Sequence, residues 1–546
     1  MFDSLLSGME PLPPMPENET VKGYAPGSPE RAAIEAELKA MMADPPEIPL
    51  IIGGEEVRTG RVKEIRAPFD HSLVIGRYHE AGEKEAAMAA DAAMKAARAW
   101  ADMHFRDRAA VFRKAAGLIS GGWWKKLAAS TVLGQSKNVY QAEIDAVCET
   151  ADFFRINPAL AERLYADQPR SDAGESNIMD YRPLEGFVYA VSPFNFTAIA
   201  ANLPSAPAMM GNVVVWKPAS TSVLSNWWLM KLYEAAGLPP GVINFLPGSA
   251  RAITGALVKR PDFAGIHFTG STSVFNSLWK GAAENLSAYR AYPRIVGETG
   301  GKDFVFVHPD ADVDAAVACT VRGAFEYQGQ KCSAASRMYI PRSRKKEILD
   351  KLVAQTRELR VGSPLEYGNF VNAVIDEAAF DTIKGYIDRA RANPACEILA
   401  GGGCDKSRGY FIEPTLILSA EPRSEPMAEE IFGPVLTVYA YDDSDMDAAY
   451  ALVDSTSPYA LTGAVFARNR HDINHALSAL RNAAGNFYVN DKPTGAVVGR
   501  QPFGGARGSG TNDKAGSVLN LIRWVSPRAI KETYSPARDW RYPFLG

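Results

Sequence analysis

The stretch Phe187-Val188-Tyr189-Ala190-Val191 is a short apolar run that decides the fold class. Similar, mainly apolar runs follow at 212–216, 242–246 and 265–268, and segments with helical character, such as 222–236, lie between them. Short apolar runs that alternate with helices are typical of buried parallel strands. The pattern therefore predicts a doubly wound α/β unit.

A second α/β unit is predicted further along the chain. It begins with a strand at 304–307, continues with a helix over 312–327 and returns as a strand at 337–340. Another apolar run lies at 435–439, and the unit extends to about residue 516. We therefore expect two successive α/β units in one chain.

Charge and cysteine content exclude several classes of protein. The chain has 546 residues and a net charge of -4, which gives no reason to expect nucleic acid or an anionic membrane as a partner. Residues 186–216 carry no charge, but their prolines and asparagines favour an interior passage over a membrane span. The five cysteines are odd in number and lack metal-site spacing, so we expect no metal, no disulfide framework and a reducing compartment.

The first residues indicate where the protein works. Asp3, Glu10, Glu17 and Glu19 precede the first lysine, Lys22. Transit peptides are poor in acids and secretory signals begin basic, so neither description fits. We expect a cytoplasmic protein, or one of the mitochondrial matrix if a leader has been removed.

A cysteine and a glutamate suggest covalent chemistry. Cys332 follows Gly329-Gln330-Lys331, and Glu298 lies in the glycine-rich run 296–302. A thiolate attacks an aldehyde readily, and the resulting thioester needs a water activated by a base. Most lone cysteines are inert core residues, so this alternative stays open for Cys332 on its own.

Polar residues also follow the first predicted strand. Asn195 lies in the run 192–196, which begins with Ser192. An amide held at a strand end donates to an oxyanion, and the N–H of the nucleophile is a second donor. An asparagine that serves only its own turn is the alternative.

A cradle for a dinucleotide is indicated without the usual Gly-x-Gly-x-x-Gly pattern, which is absent. Gly270 and Ser271 close one strand and open a helix, whose N-terminus favours a pyrophosphate; an ordinary N-cap serine is the alternative. Lys217 ends a neighbouring strand and suits a ribose hydroxyl, unless it is a solvated surface lysine. Glu430 and Phe432 share one turn and suit a nicotinamide ribose and ring face, but a capped turn explains them equally well.

These motifs, in this order, resemble the aldehyde dehydrogenase superfamily over about residues 48–530. Within it, the runs 330–333, 485–492 and 501–507 are similar to the delta-1-pyrroline-5-carboxylate dehydrogenase family, also called L-glutamate gamma-semialdehyde dehydrogenases. The resemblance implies NAD-dependent oxidation of that semialdehyde to L-glutamate through a cysteine thiohemiacetal and thioester, the second step of proline catabolism.

The resemblance also implies roles for particular residues. Cys332 would be the nucleophile, Glu298 the base for hydrolysis, and Asn195 an oxyanion donor. Residues expected to contact the cofactor are Ser192, Lys217, Ser220, Gly270, Ser271, Glu430 and Phe432. Residues expected to contact the substrate are Phe196, Ser333, Gly495, Ala496 and Phe503.

Domain boundaries and partners follow from the same resemblance. We expect an N-terminal extension at 1–45, a Rossmann-type NAD-binding domain at 46–164 and 186–300, and a catalytic domain at 301–518. The segments 165–185, which is polar over 167–182, and 519–546, which alternates apolar and polar residues over 523–534, would form a β-ribbon oligomerisation flap. The implied assembly is a homodimer or higher homo-oligomer, and a proline dehydrogenase is a candidate partner.

Two departures from the family and two other functions stay open. Some relatives have a serine where this chain has Ala496, so a side-chain hydrogen bond to the substrate carboxylate is lost. Many superfamily members have a glutamate where this chain has Ser220, which leaves the choice between NAD and NADP undecided. A dehydrogenase for another semialdehyde would keep the same nucleophile and donors. A catalytically silent protein on the same fold is the alternative from another class.

Overall fold

The computed structural model describes residues 14–546, so part of the predicted extension at 1–45 lies outside the described residues. The strands are β1 Glu47–Ile48, β2 Leu50–Ile52, β3 Glu55–Val57, β4 Val62–Ala67, β5 Asp70–His79, β6 Glu175–Pro183, β7 Phe187–Val191, β8 Val213–Lys217, β9 Ile243–Phe245, β10 Phe263–Thr269, β11 Arg294–Glu298, β12 Asp303–Val307, β13 Ala335–Pro341, β14 Cys396–Ala400, β15 Cys404–Asp405, β16 Phe411–Ile412, β17 Thr415–Ser419, β18 Val435–Tyr441, β19 Tyr459–Ala460, β20 Thr462–Phe466, β21 Asn486–Val489, β22 Ala506–Arg507 and β23 Val525–Thr533.

The α-helices lie before and between these strands. They are α1 Pro29–Ala43, α2 Glu83–Asp102, α3 Phe105–Leu118, α4 Trp124–Gln135, α5 Val139–Ala142, α6 Thr150–Ala166, α7 Thr197–Met209, α8 Val223–Ala236, α9 Ala250–Leu257, α10 Thr272–Glu284, α11 Val313–Phe325, α12 Lys345–Glu358, α13 Glu377–Ala392, α14 Glu425–Ala428, α15 Met446–Ser455, α16 Arg470–Ala479 and α17 Val518–Leu521.

The first large sheet has the strand order β11-β10-β7-β8-β9-β2-β3. Strands β7 to β11 are parallel to one another, whereas β2 pairs antiparallel with β9 at the edge. Helices α2 and α7 both pack on β8, and every residue of β8 is buried, as its apolar sequence predicts. The predicted α/β class and the four predicted strands of this unit are confirmed.

The second large sheet has the order β14-β17-β18-β13-β12-β20-β21. Its pairs are parallel except for β14, which pairs antiparallel with β17. The predicted strands at 304–307, 337–340 and 435–439 lie within β12, β13 and β18 and are confirmed.

The predicted helix over 312–327 is too long at its C-terminal end. Asp312 caps α11 by accepting a hydrogen bond from Ala315 N, but the helix ends at Phe325. Tyr327 and Gln328 have φ angles of 52° and 56°, which a right-handed helix does not allow. The chain turns here because it must leave the helix to reach Cys332.

The two segments predicted as a ribbon pair with each other. Strand β6 runs antiparallel to β23 from Glu175 opposite Thr533 to Pro183 opposite Val525. This two-stranded ribbon is largely exposed within the chain, with Ile178 49% and Ile530 39% accessible. The predicted domain boundaries, and the role of the ribbon in oligomerisation, stay predictions.

Candidate active site

A cavity of about 120 Å³ lies where loops from both sheets meet. It brings together seven residues that the sequence singled out, from five separate parts of the chain. They are Phe196, Glu298, Cys332, Ser333, Gly495, Ala496 and Phe503. Because parallel strands end at a shared edge, loops that follow such strands converge on one site.

Cys332 lies just before β13 and is only 9% exposed. It follows the left-handed turn after α11. Gln330 holds this turn in place, because its Oε1 accepts a hydrogen bond from Ile375 N at 2.9 Å. Burial raises the pKa of the Cys332 thiol well above its usual value, and the carboxylates of Asp303 and Glu298 raise it further. The inert-core alternative is disfavoured, because the thiol lines the cavity beside other polar groups.

Glu298 ends β11, and its carboxylate is held by the backbone. Gly505 N donates a hydrogen bond to Glu298 Oε2 at 3.0 Å. Burial raises the pKa of Glu298 well above the ordinary value, while this hydrogen bond and the charge of Lys514 act in the opposite direction. A carboxyl group with a raised pKa is suited to take a proton from water near neutral pH.

Asn195 lies between β7 and α7 and reaches the cysteine loop. Its Nδ2 donates a hydrogen bond to Gln330 O at 3.0 Å, and its side chain is buried. The alternative of an asparagine that serves only its own turn is wrong. One N–H of Asn195 is used in this contact, which leaves the second available to another acceptor.

A buried ion pair fixes the start of α7, and sequence reasoning missed it. Lys137 Nζ lies 2.6 Å from Asp145 Oδ2. The Asp145 carboxylate accepts hydrogen bonds from the N–H groups of Thr197 and Ala198. Lys137 Nζ also lies 4.1 Å from the centre of the Phe196 ring.

The loop of residues 494–496 also lines the cavity. Ser333 Oγ and Thr494 Oγ1 are 2.8 Å apart, and Gly495 has a φ of +89°. The methyl group of Ala496 offers no hydroxyl here, so the polar groups of this wall are backbone amides, neighbouring hydroxyls and the ammonium group of Lys492, which would lie 3.2 Å from a Cβ atom at Gly495. A branched side chain at position 495 would be strained in this left-handed conformation.

Glu149 also lines the cavity and was not identified from the sequence. Among the described residues it has no hydrogen-bond or ion-pair partner. Burial raises its pKa to about 8, and the charge of Asp145 contributes in the same direction. No local motif marks Glu149, since it belongs to the π-helical segment Glu143–Glu149 and reaches the cavity only through tertiary packing.

The predicted cofactor residues do not line the cavity. Five of them end or follow strands of the first sheet, namely Ser192, Lys217, Ser220, Gly270 and Ser271. Lys217 ends β8 and is buried, so the alternative of a solvated surface lysine is wrong. Burial lowers its pKa to about 8, and its ammonium group has no partner among residues 14–546. Ser192 Oγ accepts a hydrogen bond from Trp216 Nε1 at 3.0 Å, which ties the ends of two neighbouring strands.

The remaining cofactor predictions fall on turns. Ser271 is the N-cap of α10 and is exposed, with Gly270 directly before it. Ser220 is also exposed, in the short 3-10 turn Ser220–Ser222 after β8. The N-cap alternative for Ser271 is confirmed as its local role and leaves the N-terminus of α10 open to an anion.

Glu430 and Phe432 lie close to the cysteine loop. Glu430 Oε1 accepts a hydrogen bond from Gly301 N at 2.8 Å, and burial raises the pKa of Glu430 to about 7. A Cβ atom at Gly300 would lie 2.1 Å from Glu430 Oε2, so this approach requires glycine. Phe432 has a φ of 57° and makes an edge contact with Phe194.

One group of side chains has metal-ligand character, formed by His308, Asp310 and Asp472. Both ring nitrogens of His308 face carboxylates, at 2.8 Å for Asp310 and 3.7 Å for Asp472. This group does not line the cavity, and an ion-pair network accounts for it.

Within residues 14–546, the helices are all too short or too polar to traverse a bilayer.

The fold and the site define a class of thiol-dependent oxidoreductase. The model of the aldehyde dehydrogenase family matches residues 57–525, and the chain belongs to that family. The chain is also 51% identical over 535 residues to a Dictyostelium discoideum protein named delta-1-pyrroline-5-carboxylate dehydrogenase, mitochondrial. The match covers 97% of this chain and 96% of the relative.

Solved structures of proteins with related names are also similar to this chain. The structure of delta-pyrroline-5-carboxylate dehydrogenase from Mycobacterium tuberculosis bound with NAD is 50% identical, with a TM-score of 0.95, and covers 98% of this chain and 99% of that one. Proline utilization A from Bdellovibrio bacteriovorus is 31% identical with a TM-score of 0.90. That match covers 97% of this chain but only 55% of the longer protein.

Proposed function

We propose that this protein oxidises L-glutamate gamma-semialdehyde to L-glutamate with NAD+. The observation that carries the proposal is the single cavity in which Cys332 and Glu298 share walls with Ser333 and the 494–496 loop. The relatives of about 50% identity named for this reaction support the proposal. A catalytically silent protein would have no need to keep Cys332, Glu298 and Asn195 together.

The first step is the attack of Cys332 on the aldehyde carbon. The Cys332 thiol gives its proton to water, its sulfur forms a bond to the carbonyl carbon, and the π electrons of the broken carbonyl double bond move to the oxygen, which gains negative charge. The second N–H of Asn195 Nδ2 and the backbone N–H of Cys332 are the donors we assign to that oxygen. Asn195 is preorganised for this by its bond to Gln330 O.

The second half of the reaction is hydrolysis of the thioester on Cys332. Glu298 takes a proton from water, the water oxygen bonds to the acyl carbon, and the carbon–sulfur bond breaks. The proton on Glu298 then passes to the departing sulfur, so the products are the free carboxylic acid and the Cys332 thiol, and Glu298 is ionised again. Glu298 must be ionised at this point, so its raised pKa moves the acid limb of the rate to higher pH than an ordinary carboxyl group would give.

The residues around the first sheet fit a dinucleotide. Lys217 is a buried cation without a partner among the described residues, and the open N-terminus of α10 at Ser271 favours a phosphate. Glu430 and Phe432 would hold the nicotinamide end. When bound, NAD+ supplies the hydride acceptor for the oxidation. Ser220 contributes no carboxylate beside the ribose, so we expect measurable though poorer use of NADP+.

The substrate's amino-acid end would lie at the opposite wall from Cys332. The N–H groups at Gly495 and Ala496, with Ser333, suit the alpha-carboxylate. Phe196 and Phe503 flank the space for the aliphatic chain. The unpaired carboxyl of Glu149 suits the alpha-ammonium group, which would lower the pKa of Glu149 and keep it ionised.

Partners and compartment remain part of the proposal. The exposed β6–β23 ribbon supports a homodimer or larger homo-oligomer. The partial coverage of proline utilization A supports a functional link to a proline dehydrogenase. The name of the Dictyostelium discoideum relative includes the word mitochondrial, which supports a place in the mitochondrial matrix.

Steady-state kinetics with L-glutamate gamma-semialdehyde, succinate semialdehyde and propanal, each with NAD+ and with NADP+, tests the function. We expect the highest kcat/KM for the amino-acid semialdehyde with NAD+. Cys332→Ala should leave less than about one part in a thousand of the turnover, because covalent catalysis is lost. Cys396→Ala is the matched control outside the cavity and should keep full turnover. A higher kcat/KM for succinate semialdehyde would favour the alternative substrate.

A further inference from the structure

One lysine connects to the Glu298 carboxylate through a single peptide group. Lys514 Nζ donates hydrogen bonds to Gly504 O at 2.8 Å and to Gly485 O at 2.7 Å. The N–H of the same Gly504–Gly505 peptide unit donates to Glu298 Oε2 at 3.0 Å. The ammonium group and the carboxylate therefore lie at the two ends of one amide.

The ammonium charge of Lys514, the dipole of the Gly504–Gly505 peptide and the carboxylate charge of Glu298 follow one another with opposite signs facing at each contact. A cation at the carbonyl oxygen draws electron density toward that end of the peptide, which makes its N–H a stronger donor. A stronger donor favours the charged form of the carboxylate that accepts it. Lys514 thus acts on Glu298 both through the peptide and through its own field.

The surrounding chain leaves little freedom for this peptide. Asn486 Oδ1 accepts from Gly504 N at 3.2 Å and also from Lys514 Nζ at 3.2 Å. A Cβ atom at Gly504 would lie 3.0 Å from Glu298 Oε1 and 3.1 Å from Lys514 N. Phe503 and Ala515 exchange backbone hydrogen bonds in both directions, which joins the two loops. The loop around Lys514 is therefore locked onto the loop that holds the base.

We propose that Lys514 is the positioning residue of Glu298, fixing and polarising the Gly504–Gly505 peptide so that the carboxylate is held in place and kept ionised for hydrolysis. This inference rests on the proposed function of Glu298 as the base. It assigns to Lys514 no contact with substrate or cofactor.

The charged groups around Glu298 determine whether a substitution should raise or lower the pKa of Glu298. Lys514 favours the carboxylate, whereas the negative charge of Asp513 opposes it. Asp513 is itself bound to Thr511 and lies 3.4 Å from Arg523. The thiol of Cys332 also senses the charge of Glu298. Removing the Lys514 charge should raise the pKa of Glu298, and removing the Asp513 charge should lower it.

The test is the pH dependence of p-nitrophenyl acetate hydrolysis, because an ester acylates the Cys332 thiol without any nucleotide. Lys514→Gln keeps an N–H donor but loses the charge, and Lys514→Arg keeps the charge. We expect Lys514→Gln to move the acid limb to higher pH by about one unit. Lys514→Arg should keep the limb where it is in the native protein, and Asp513→Asn should move it to lower pH.

Several results would overturn the proposal. A Lys514→Gln rate that falls equally at all pH values would mean a purely structural role. If Lys514→Gln does not fold, an unmoved limb in Asp513→Asn would show that charges here do not reach Glu298. A shift of the acid limb in Lys514→Arg as large as that in Lys514→Gln would also contradict the proposal. If the native protein hydrolyses the ester but does not oxidise the semialdehyde, the proposed function fails while the inference on Lys514 is still tested.

Discussion

Lys137 and Asp145 form an ion pair in which both side chains are 1% exposed, with 2.6 Å between Lys137 Nζ and Asp145 Oδ2. The same carboxylate accepts the first free N–H groups of α7, directly after Asn195 and Phe196. A helix N-terminus that is tied down in this way fixes the residues just before it. The pair therefore connects the stability of the fold to the position of Asn195, the residue that we propose as oxyanion donor.

Removing one partner of this pair should destabilise the protein strongly. We expect Asp145→Asn to lower the free energy of unfolding by about 3 kcal/mol, because it leaves a buried ammonium group unpaired. Urea unfolding measures this change. Asp350→Asn, which breaks the exposed pair with Lys346, is the control and should cost less than about 0.5 kcal/mol. Similar losses for the two variants would contradict the importance of burial.

Asn195→Ala should lower kcat by about 100- to 1000-fold, the usual effect of deleting one oxyanion donor. KM should change much less, since the donor acts mainly when negative charge develops. Steady-state kinetics separates the two parameters. Asn285→Ala, outside the cavity, serves as the control and should match the native protein. A raised KM with an unchanged kcat would make Asn195 a ground-state contact.

Glu149→Gln should raise KM for L-glutamate gamma-semialdehyde by about tenfold, equivalent to about 1.4 kcal/mol. The reason is the loss of the carboxylate that we assign to the alpha-ammonium group. KM should be measured in parallel for the same semialdehyde without its amino group, which should not lose affinity. Equal losses for both compounds would place Glu149 outside the ammonium site.

Gly495→Val should raise KM for the semialdehyde by at least about tenfold. A side chain there enters the space assigned to the alpha-carboxylate, and the φ of +89° strains any branched residue. Propanal, which has no carboxylate, should be a poor substrate of the native protein and should suffer less from the change. Equal effects on both aldehydes would mean that the loop is only structural.

Ser220→Glu should increase the preference for NAD+ over NADP+. A carboxylate beside the adenosine ribose accepts hydrogen bonds from its hydroxyls and repels a 2′-phosphate. The ratio of kcat/KM values for the two nucleotides measures this preference. Ser277→Glu adds the same charge at an exposed position of α10 and should leave the ratio unchanged. If Ser220→Glu also leaves it unchanged, Ser220 does not face the ribose.

The sequence alone predicted much of the fold because its signals are local. Apolar runs such as Phe187–Val191 predict buried strands wherever they occur, and the structure has strands there. Cys332, Glu298 and Asn195 were identified as candidates from the residues that flank them. The end of α11 was not predicted, since the turn at Tyr327 and Gln328 depends on where the chain must go next.

Only the tertiary structure revealed the groups that act on these candidates from a distance. Lys514 is far from Glu298 along the chain and reaches it through the Gly504–Gly505 peptide. Glu149 and Asp145 lie on the π-helical segment Glu143–Glu149, and Lys137 lies in the short connection between α4 and α5, where no local motif marks them. Their roles come from burial, which raises or lowers a pKa and makes an unpaired charge costly. Burial is a property of the packed chain, so local sequence determined the elements and the candidate nucleophile Cys332, while packing decided the charges around it.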